Sequence, residues 1–377
     1  MTTSLHALSP GALRRQALAP LLALAGLGAF LVGLLADPPR AWSAWLVSAF
    51  GVLALGLGGA VLTALIHVTG GRWADGILDV VHRLTALIPV GAGLALVVGA
   101  GALHLYPWAD ATRVEHDPIL HDRAAWMAPL FVGARVLAYG VLWTLAARAL
   151  VRRSRAAAAA PSPASRSAAV RAAALFLALF APTFSVACFD LLLSLEPHWS
   201  STMYALIHFA GLVEGAIAVV VLLVLARRRA GTLEVGGDTL QDLGKLLFAF
   251  AFFWGYLWFC QWMLIWYTNM PEETAPYALR HAGAWQLMAV ANVLLGFALP
   301  FVLLLSRHAK RSAAILGRVA VLALVGRWID LTLSVQPTVR GAQMGLGMLE
   351  IGLAAGAVGL VTVVLGRTWR PQETLID

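Results

Sequence analysis

Five ionisable side chains stand inside otherwise apolar stretches of this sequence, where they could exchange protons. They are Arg135, Asp190, Glu214, Asp330 and Glu350. A charged side chain at the centre of a bilayer costs about 2.5–3.5 kcal/mol on insertion scales, so such residues usually face a protein interior. We interpret the four carboxyls as candidates for a proton path. Arg135 is a structural charge, because a guanidinium keeps its proton at physiological pH. The alternative is a set of buried ion pairs that fix helix packing, with Arg135 neutralising one of the acids.

A second group of side chains could bind a quinone ring. A histidine can hydrogen-bond a quinone carbonyl and exchange protons near neutral pH. Four tryptophans at four-residue spacing, the first at Trp254 and the last at Trp266, would form an aromatic wall along one helix. The alternatives are histidines satisfied at the membrane interface and an aromatic belt at headgroup level. The quinone-binding candidates are His104, His208, Trp258, Gln261 and Trp262.

The sequence offers little to hold a redox cofactor. Cys188 and Cys260 both lie in apolar stretches and form no CxxC pair or zinc pattern. No pair of histidines is placed on facing helices as axial haem ligands would be. We therefore expect that this chain alone binds no cofactor and does not catalyse a redox reaction, so that metal clusters and haem would belong to partner subunits.

Composition identifies the environment in which these residues act. Of the 377 residues, 60% are hydrophobic and 12% are charged, and the mean hydropathy is +0.80. A soluble domain carries about 25% charged residues, because its surface must be solvated. This composition excludes soluble enzymes, disordered proteins and secreted disulfide-rich domains. It predicts an all-α polytopic membrane protein.

Ten apolar runs are long enough to cross a hydrocarbon core, which needs about 20 residues per helix. Each run is predicted to be one transmembrane helix. The first run is followed by others at once, so it is a retained helix rather than a cleaved signal peptide. The predicted spans are 13–36, 43–66, 84–106, 124–150, 168–195, 202–227, 244–267, 282–306, 312–334 and 343–366.

The orientation of the protein in the membrane explains its net charge of +8. If the N-terminus is cytoplasmic, most of the 27 Lys and Arg residues fall at cytoplasmic helix ends, while acidic residues such as Glu115, Glu272 and Glu273 lie outside. The positive-inside rule then predicts that both termini are cytoplasmic. Nucleic-acid binding is not needed to explain the basic charge.

An internal repeat divides the chain. DLLLSLEP at 190–197 and DLTLSVQP at 330–337 end the fifth and ninth helices in related sequences. Their spacing of one four-helix unit predicts two parallel four-helix bundles, helices 2–5 and 6–9, flanked by helices 1 and 10. The predicted segments are 1–42, 43–200 with a cytoplasmic linker at 152–169, 201–340, and 341–377.

Residues 189–285 resemble a known family. They are similar to the second large membrane subunit of alternative complex III, the ActF type of the NrfD-like group. The similarity lies in the run FDLLLSLEPHWSSTMYALIHFAG, in the run DLGKLLFAFAFFWGYLWFCQWMLIWYTNMPEET, and in the later residues Arg280 and Trp285. DPILHDRAAWMAPLFVGARVLAYGVLW at 117–143, with Arg135, agrees. The resemblance extends from about 100 to 337, with Gln336 standing in the second repeat where Glu196 stands in the first.

The resemblance implies a cofactor-free membrane subunit of a respiratory quinol:cytochrome c oxidoreductase, with two four-helix bundles. It implies menaquinone or ubiquinone as substrate, and haem and iron–sulfur clusters in partner subunits. The partners would be a homologous NrfD-like membrane subunit, an iron–sulfur subunit, multihaem cytochrome c subunits and a terminal oxidase, all at a bacterial cytoplasmic membrane.

Two other functions fit a chain of this kind. A secondary ion or solute transporter can also have ten helices, an internal repeat and charges at the midplane, but its binding site is built from broken helices. The sixth and seventh predicted helices contain no proline. A scaffold that only anchors catalytic subunits is the third alternative.

Overall fold

The computed structural model describes residues 10–341 and 346–368. Every regular element within these ranges is helical. The long helices, in chain order, are α1 (Pro10–Ala36), α2 (Pro38–Thr69), α3 (Leu78–Leu105), α4 (Pro129–Ala159), α5 (Pro163–Leu191), α6 (Tyr204–Arg229), α7 (Gly237–Thr268), α8 (Trp285–Leu303), α9 (Ala313–Arg340) and α10 (Met348–Arg367).

The protein is an all-α polytopic membrane protein, as composition predicts. Nine of the long helices in the described ranges are apolar and long enough to cross a membrane. The exception is α9, which matches the predicted span 312–334 but carries Arg318, Arg327 and Asp330. The start of the last predicted span, 343–345, lies outside the described residues. Its helix begins at Met348.

Two rings of four helices form the core. Helices α2, α3, α4 and α5 pack around one another, and α6, α7, α8 and α9 form the second ring. Contacts of α2 with α6 and α9, and of α5 with α6, join the rings. The most apolar stretches of α2 and α6 are 78% buried, against 39% or less in the other seven spans, so these two helices form the centre.

Helices α1 and α10 pack against each other beside the bundles. Small residues bring their backbones close: a side chain on Gly26 would overlap the backbone of Gly356, and one on Gly359 would overlap the backbone of Ala19. Close approach at small residues is how membrane helices gain van der Waals contact. The pair then contacts α2.

Local sequence signals explain where the helices begin and end. The Asp37 carboxylate caps α2 by accepting from the Arg40 backbone N–H, and Pro38 occupies the first turn. The predicted linker 152–169 is shorter than expected. Alanine favours helix, so α4 continues to Ala159 and α5 starts at Pro163 behind a Ser162 cap. Residues 160–162 alone connect them.

The repeat is visible in side-chain contacts. Ser194 donates to the carbonyl of Asp190 at 2.7 Å, and Ser334 donates to the carbonyl of Asp330 at 2.8 Å. We call the end of the bundles where residues 192–203 connect α5 to α6 the outer end. The opposite end, with residues 160–162, is the inner end.

Candidate functional site

A cluster of charged and polar side chains lies buried inside the second bundle, and all four of its helices contribute. The Arg327 guanidinium on α9 lies 3.2 Å from a Glu214 carboxylate oxygen on α6 and 3.4 Å from Asp330. Asn292 on α8 donates to Asp330 at 3.0 Å. Trp254 on α7 supports the cation, whose central carbon lies 3.8 Å from the ring centroid. We call these five residues the charge cluster.

An irregular turn in α8 makes room for the guanidinium. Proline lacks an N–H and clashes with the carbonyl four residues earlier. Pro300 therefore disfavours regular helix around Gly296, and residues Leu294–Ala298 form a π-helical turn. A side chain at Gly296 would overlap Arg327, and one at Gly326 would overlap the Gly296 backbone. The glycines let Arg327 reach the centre of the bundle.

The charge cluster contains one carboxyl more than it has cations. If Glu214 and Asp330 are both ionised, Arg327 balances only one of them. Both Glu214 oxygens, Asn292 Oδ1 and Arg327 Nη2 are buried and make no hydrogen bond within the described part of the chain. Buried polar atoms are normally hydrogen-bonded. A cluster of this composition can bind and release one proton while Arg327 keeps a carboxylate partner.

A small polar chamber of about 70 Å³ lies on the outer side of the charge cluster. Asp330 and Asn292 line its inner side, and His208 lines it from α6. The Gln261 side chain carbonyl accepts from the Ser201 hydroxyl at 2.8 Å. Small-molecule sites measure about 300–1,000 Å³, so this chamber has room for ordered water molecules rather than for a ring.

A short helix, Pro271–Arg280, covers the chamber at the outer end. Arg280 donates to Glu196 at 2.7 Å and to the Leu333 carbonyl at 3.0 Å, which ties this helix to both repeats. Tyr277 packs edge-on against Trp199, with ring centroids 5.9 Å apart. The cover is therefore held by an ion pair and an aromatic contact.

The structure brings some of the quinone-binding candidates together. His208, Trp258 and Gln261 line the chamber. Trp262 does not line it and stacks on Trp266 instead, with centroids 6.2 Å apart. His104 is exposed near the end of α3 and lines neither this chamber nor the larger groove described below.

The tryptophan row does not form one wall. Trp254 is fully buried, whereas Trp266 is 66% exposed. Four-residue spacing advances slightly more than one helical turn, so the row rotates from the bundle interior to the outside. Only Trp254 and Trp258 are in contact with the site.

In the first bundle, Asp190 pairs with Arg135. The guanidinium donates from Nε at 2.9 Å and from Nη2 at 2.7 Å to the two carboxylate oxygens. Tyr139 donates to the same carboxylate at 3.2 Å, and Trp126 lies 4.2 Å from the cation. Arg135 thus neutralises Asp190, and the partner of Glu214 is Arg327.

Glu350 lies at the outer end of α10, apart from the charge cluster. Arg40 of α2 donates to it twice, at 2.6 and 2.7 Å, and the Gly347 backbone N–H donates to it at 2.8 Å. Arg340 of α9 lies 3.8 Å away. This network fastens α10 to α2 and α9.

A hydrogen-bonded row of three side chains at the inner end of the first bundle was not among the sequence candidates. Ser154 lies 2.6 Å from His67 Nε2 and 2.9 Å from His82 Nε2. His82 and Ser154 are buried, while His67 is partly exposed. The three residues are far apart in sequence, so no local pattern connects them.

Sequence analysis also missed Arg327, Asn292 and Tyr277 as site residues. Arg327 and Asp330 stand three apart in an apolar run, which places them on one helix face. That spacing was the available signal. Asn292 and Tyr277 carry no comparable signal, because their roles depend on the packing of α8 and the short helix against α9.

No protein-family model and no curated protein matches this chain. Within residues 10–341 and 346–368, no three His, Cys, Asp or Glu side chains are grouped so that they could hold a metal ion.

Proposed function

We propose that this protein is the membrane subunit of a respiratory quinol:cytochrome c oxidoreductase of the alternative complex III type, and that its second bundle handles the protons of quinol oxidation. The proposal is carried by the charge cluster, in which two carboxyls share one guanidinium below a polar chamber. A quinone ring needs a hydrogen-bonding group in an apolar setting, and His208 supplies one at the edge of the chamber.

Oxidation of one quinol yields a quinone, two electrons and two protons. In this proposal the electrons pass to iron–sulfur and haem groups of partner subunits, which include a second NrfD-like membrane subunit and multihaem cytochromes c. The protons leave one at a time through the carboxyls of Glu214 and Asp330. The chain lies in the bacterial cytoplasmic membrane with both termini cytoplasmic, and menaquinone or ubiquinone is the substrate.

The transporter alternative has less support. Transporters of that class bind substrate at broken helices. Here α6 and α7, which carry Glu214 and Trp254, run without interruption from Tyr204 to Arg229 and from Gly237 to Thr268. The irregular turn in α8 accommodates Arg327 and does not unwind the helix.

The decisive experiment is Glu214→Gln in the complete complex. We expect normal assembly, because Arg327 keeps Asp330 as its partner. Quinol:cytochrome c turnover and proton release should fall on the order of 10²-fold, the usual contribution of a positioned proton-transfer group. Glu272→Gln, on the exposed surface, is the matched control and should leave both rates unchanged.

Two outcomes would contradict the proposal. Normal assembly with normal turnover and proton release would remove Glu214 from the mechanism and favour a purely structural anchor. Loss of turnover that follows loss of assembly would make Glu214 a packing residue. The double variant Glu214→Gln with Asp330→Asn leaves Arg327 without a carboxylate partner and should impair assembly. It is the reference against which an assembly defect in Glu214→Gln is compared.

A further inference from the structure

A long groove of about 800 Å³ runs between α2, α6, α9 and α10. Its walls are apolar along most of their length, with Leu55, Val219 and Ala354 as typical members. His208, Arg327 and Asp330 also line it, and His208 and Asp330 line the polar chamber as well. The groove and the chamber therefore meet at these two side chains.

The groove opens sideways, towards the position of the membrane lipids. Val325 on α9 is 41% exposed and Val358 on α10 is 62% exposed, and both line it. The ion pairs of Glu350 with Arg40 and Arg340 hold α10 to α2 and α9 at its outer end, beyond the groove. A membrane-soluble ligand can reach the charge cluster by this route without passing through water.

The size of the groove suits a chain-like occupant. Sites for single small molecules measure about 300–1,000 Å³, and this groove of about 800 Å³ lies within that range. Its course along four helices suits one isoprenoid or acyl chain with its head group.

The polar end of the groove selects the head group. Arg327 is 7% exposed and lines the groove beside His208 and Asp330, so the guanidinium places a hydrogen-bond donor at this end. Arg327 lies halfway along α9, far from headgroup level. A lipid phosphate would have to leave the membrane interface to reach Arg327, at a large desolvation cost. It would also be repelled by the surplus carboxylate of the charge cluster. An uncharged ring with carbonyl oxygens meets neither obstacle.

We propose that the groove between α9 and α10 binds the isoprenoid chain of a quinone and brings its ring to Arg327, His208 and Asp330. This inference rests on the proposed function and adds to it a binding slot and a lateral route of access. The isoprenoid chain lies against α2 and α6, and one carbonyl oxygen of the quinone ring accepts a hydrogen bond from Arg327.

A photoreactive naphthoquinone with a diazirine in its isoprenoid tail tests this directly. In the purified complex, we expect the label on α9 and α10 residues that line the groove. An excess of unlabelled menaquinone should displace it, and the same excess of phosphatidylethanolamine should not. Val325→Trp and Val358→Trp fill the groove from partly exposed positions and should each lower labelling about tenfold, a change of about 1.4 kcal/mol.

The matched controls are Leu137→Trp and Val141→Trp on α4, at positions that are 51% and 50% exposed and outside the groove. They should leave labelling unchanged. Equal labelling of α4 and α9, or labelling unaffected by both groove variants, would overturn the inference. Displacement by phosphatidylethanolamine would make the groove a lipid site. The Glu214→Gln result does not depend on labelling. The two experiments therefore distinguish an error in the proposed groove from an error in the proposed proton function.

Discussion

Arg135 and Asp190 show what one buried ion pair contributes at the residue scale. Both side chains are buried, and the carboxylate accepts from Arg135 twice and from Tyr139 once. The positive and negative charges balance. Removing one partner of such a pair leaves an uncompensated buried charge, which costs about 3–5 kcal/mol. Neither residue can therefore be replaced alone without this cost, and the pair has no spare site for a proton.

We expect Asp190→Asn to lower the free energy of unfolding by about 3–5 kcal/mol, because Arg135 loses its counter-charge. Thermal unfolding in detergent micelles measures the loss. The double variant with Arg135→Gln removes the isolated cation and should recover most of the stability. An equal loss in the single and double variants would show that the charge balance is not what holds this contact.

The surplus carboxyl distinguishes the second bundle from the first. Where Asp190 has a guanidinium of its own, Asp330 is bound by the amide of Asn292 and shares Arg327 with Glu214. Sequence inspection identified both aspartates through the repeat. The spacing of Arg327 and Asp330 indicates that pair, but the sequence could not assign Arg135 to Asp190 or Arg327 to Glu214, because those residues lie on different helices and only packing decides which of them meet.

At the scale of helices, the π-helical turn in α8 positions the charge cluster. Gly296→Ala adds a methyl group where Arg327 Nη2 now lies, and the same change at Gly133 on α4 meets no atom within 4 Å. We expect Gly296→Ala to displace the guanidinium and to lower both quinol turnover and stability. Gly133→Ala should leave turnover intact, because it only adds a residue with better helix propensity.

The measurement is turnover alongside thermal unfolding, for both variants in the assembled complex. Unchanged turnover in Gly296→Ala would mean that the fit between Arg327 and α8 is not needed for activity.

The sequence predicts the positions of the helices well and the contacts between side chains poorly. Length and hydropathy locate all ten helices, and the repeat at Asp190 and Asp330 predicts the two bundles. The π-helical turn in α8 was not predicted, although Pro300 disfavours regular helix around Gly296. His104 and His208 are both near outer helix ends, but only His208 points into the bundle.

At the scale of the whole molecule, orientation in the membrane follows from the distribution of Lys and Arg. We expect Ala160→Cys, at the inner end, to be protected from an impermeant thiol reagent in intact cells, and Glu115→Cys, at the outer end, to react. Both are made with Cys260 replaced by serine, since Cys260 is partly accessible whereas Cys188 is buried. Reaction at position 160 with protection at position 115 would reverse the orientation.

The close packing of α1 against α10 has a consequence for biosynthesis. α1 is synthesised before α10, so the Gly26 face lies against lipid until α10 has been inserted. A nascent chain arrested before Met348 would hold α1 in the bilayer with its small residues uncovered. Contact between α1 and α10 therefore forms only once α10 is in the membrane, and a protease that recognises an unpaired α1 could remove chains arrested before that point.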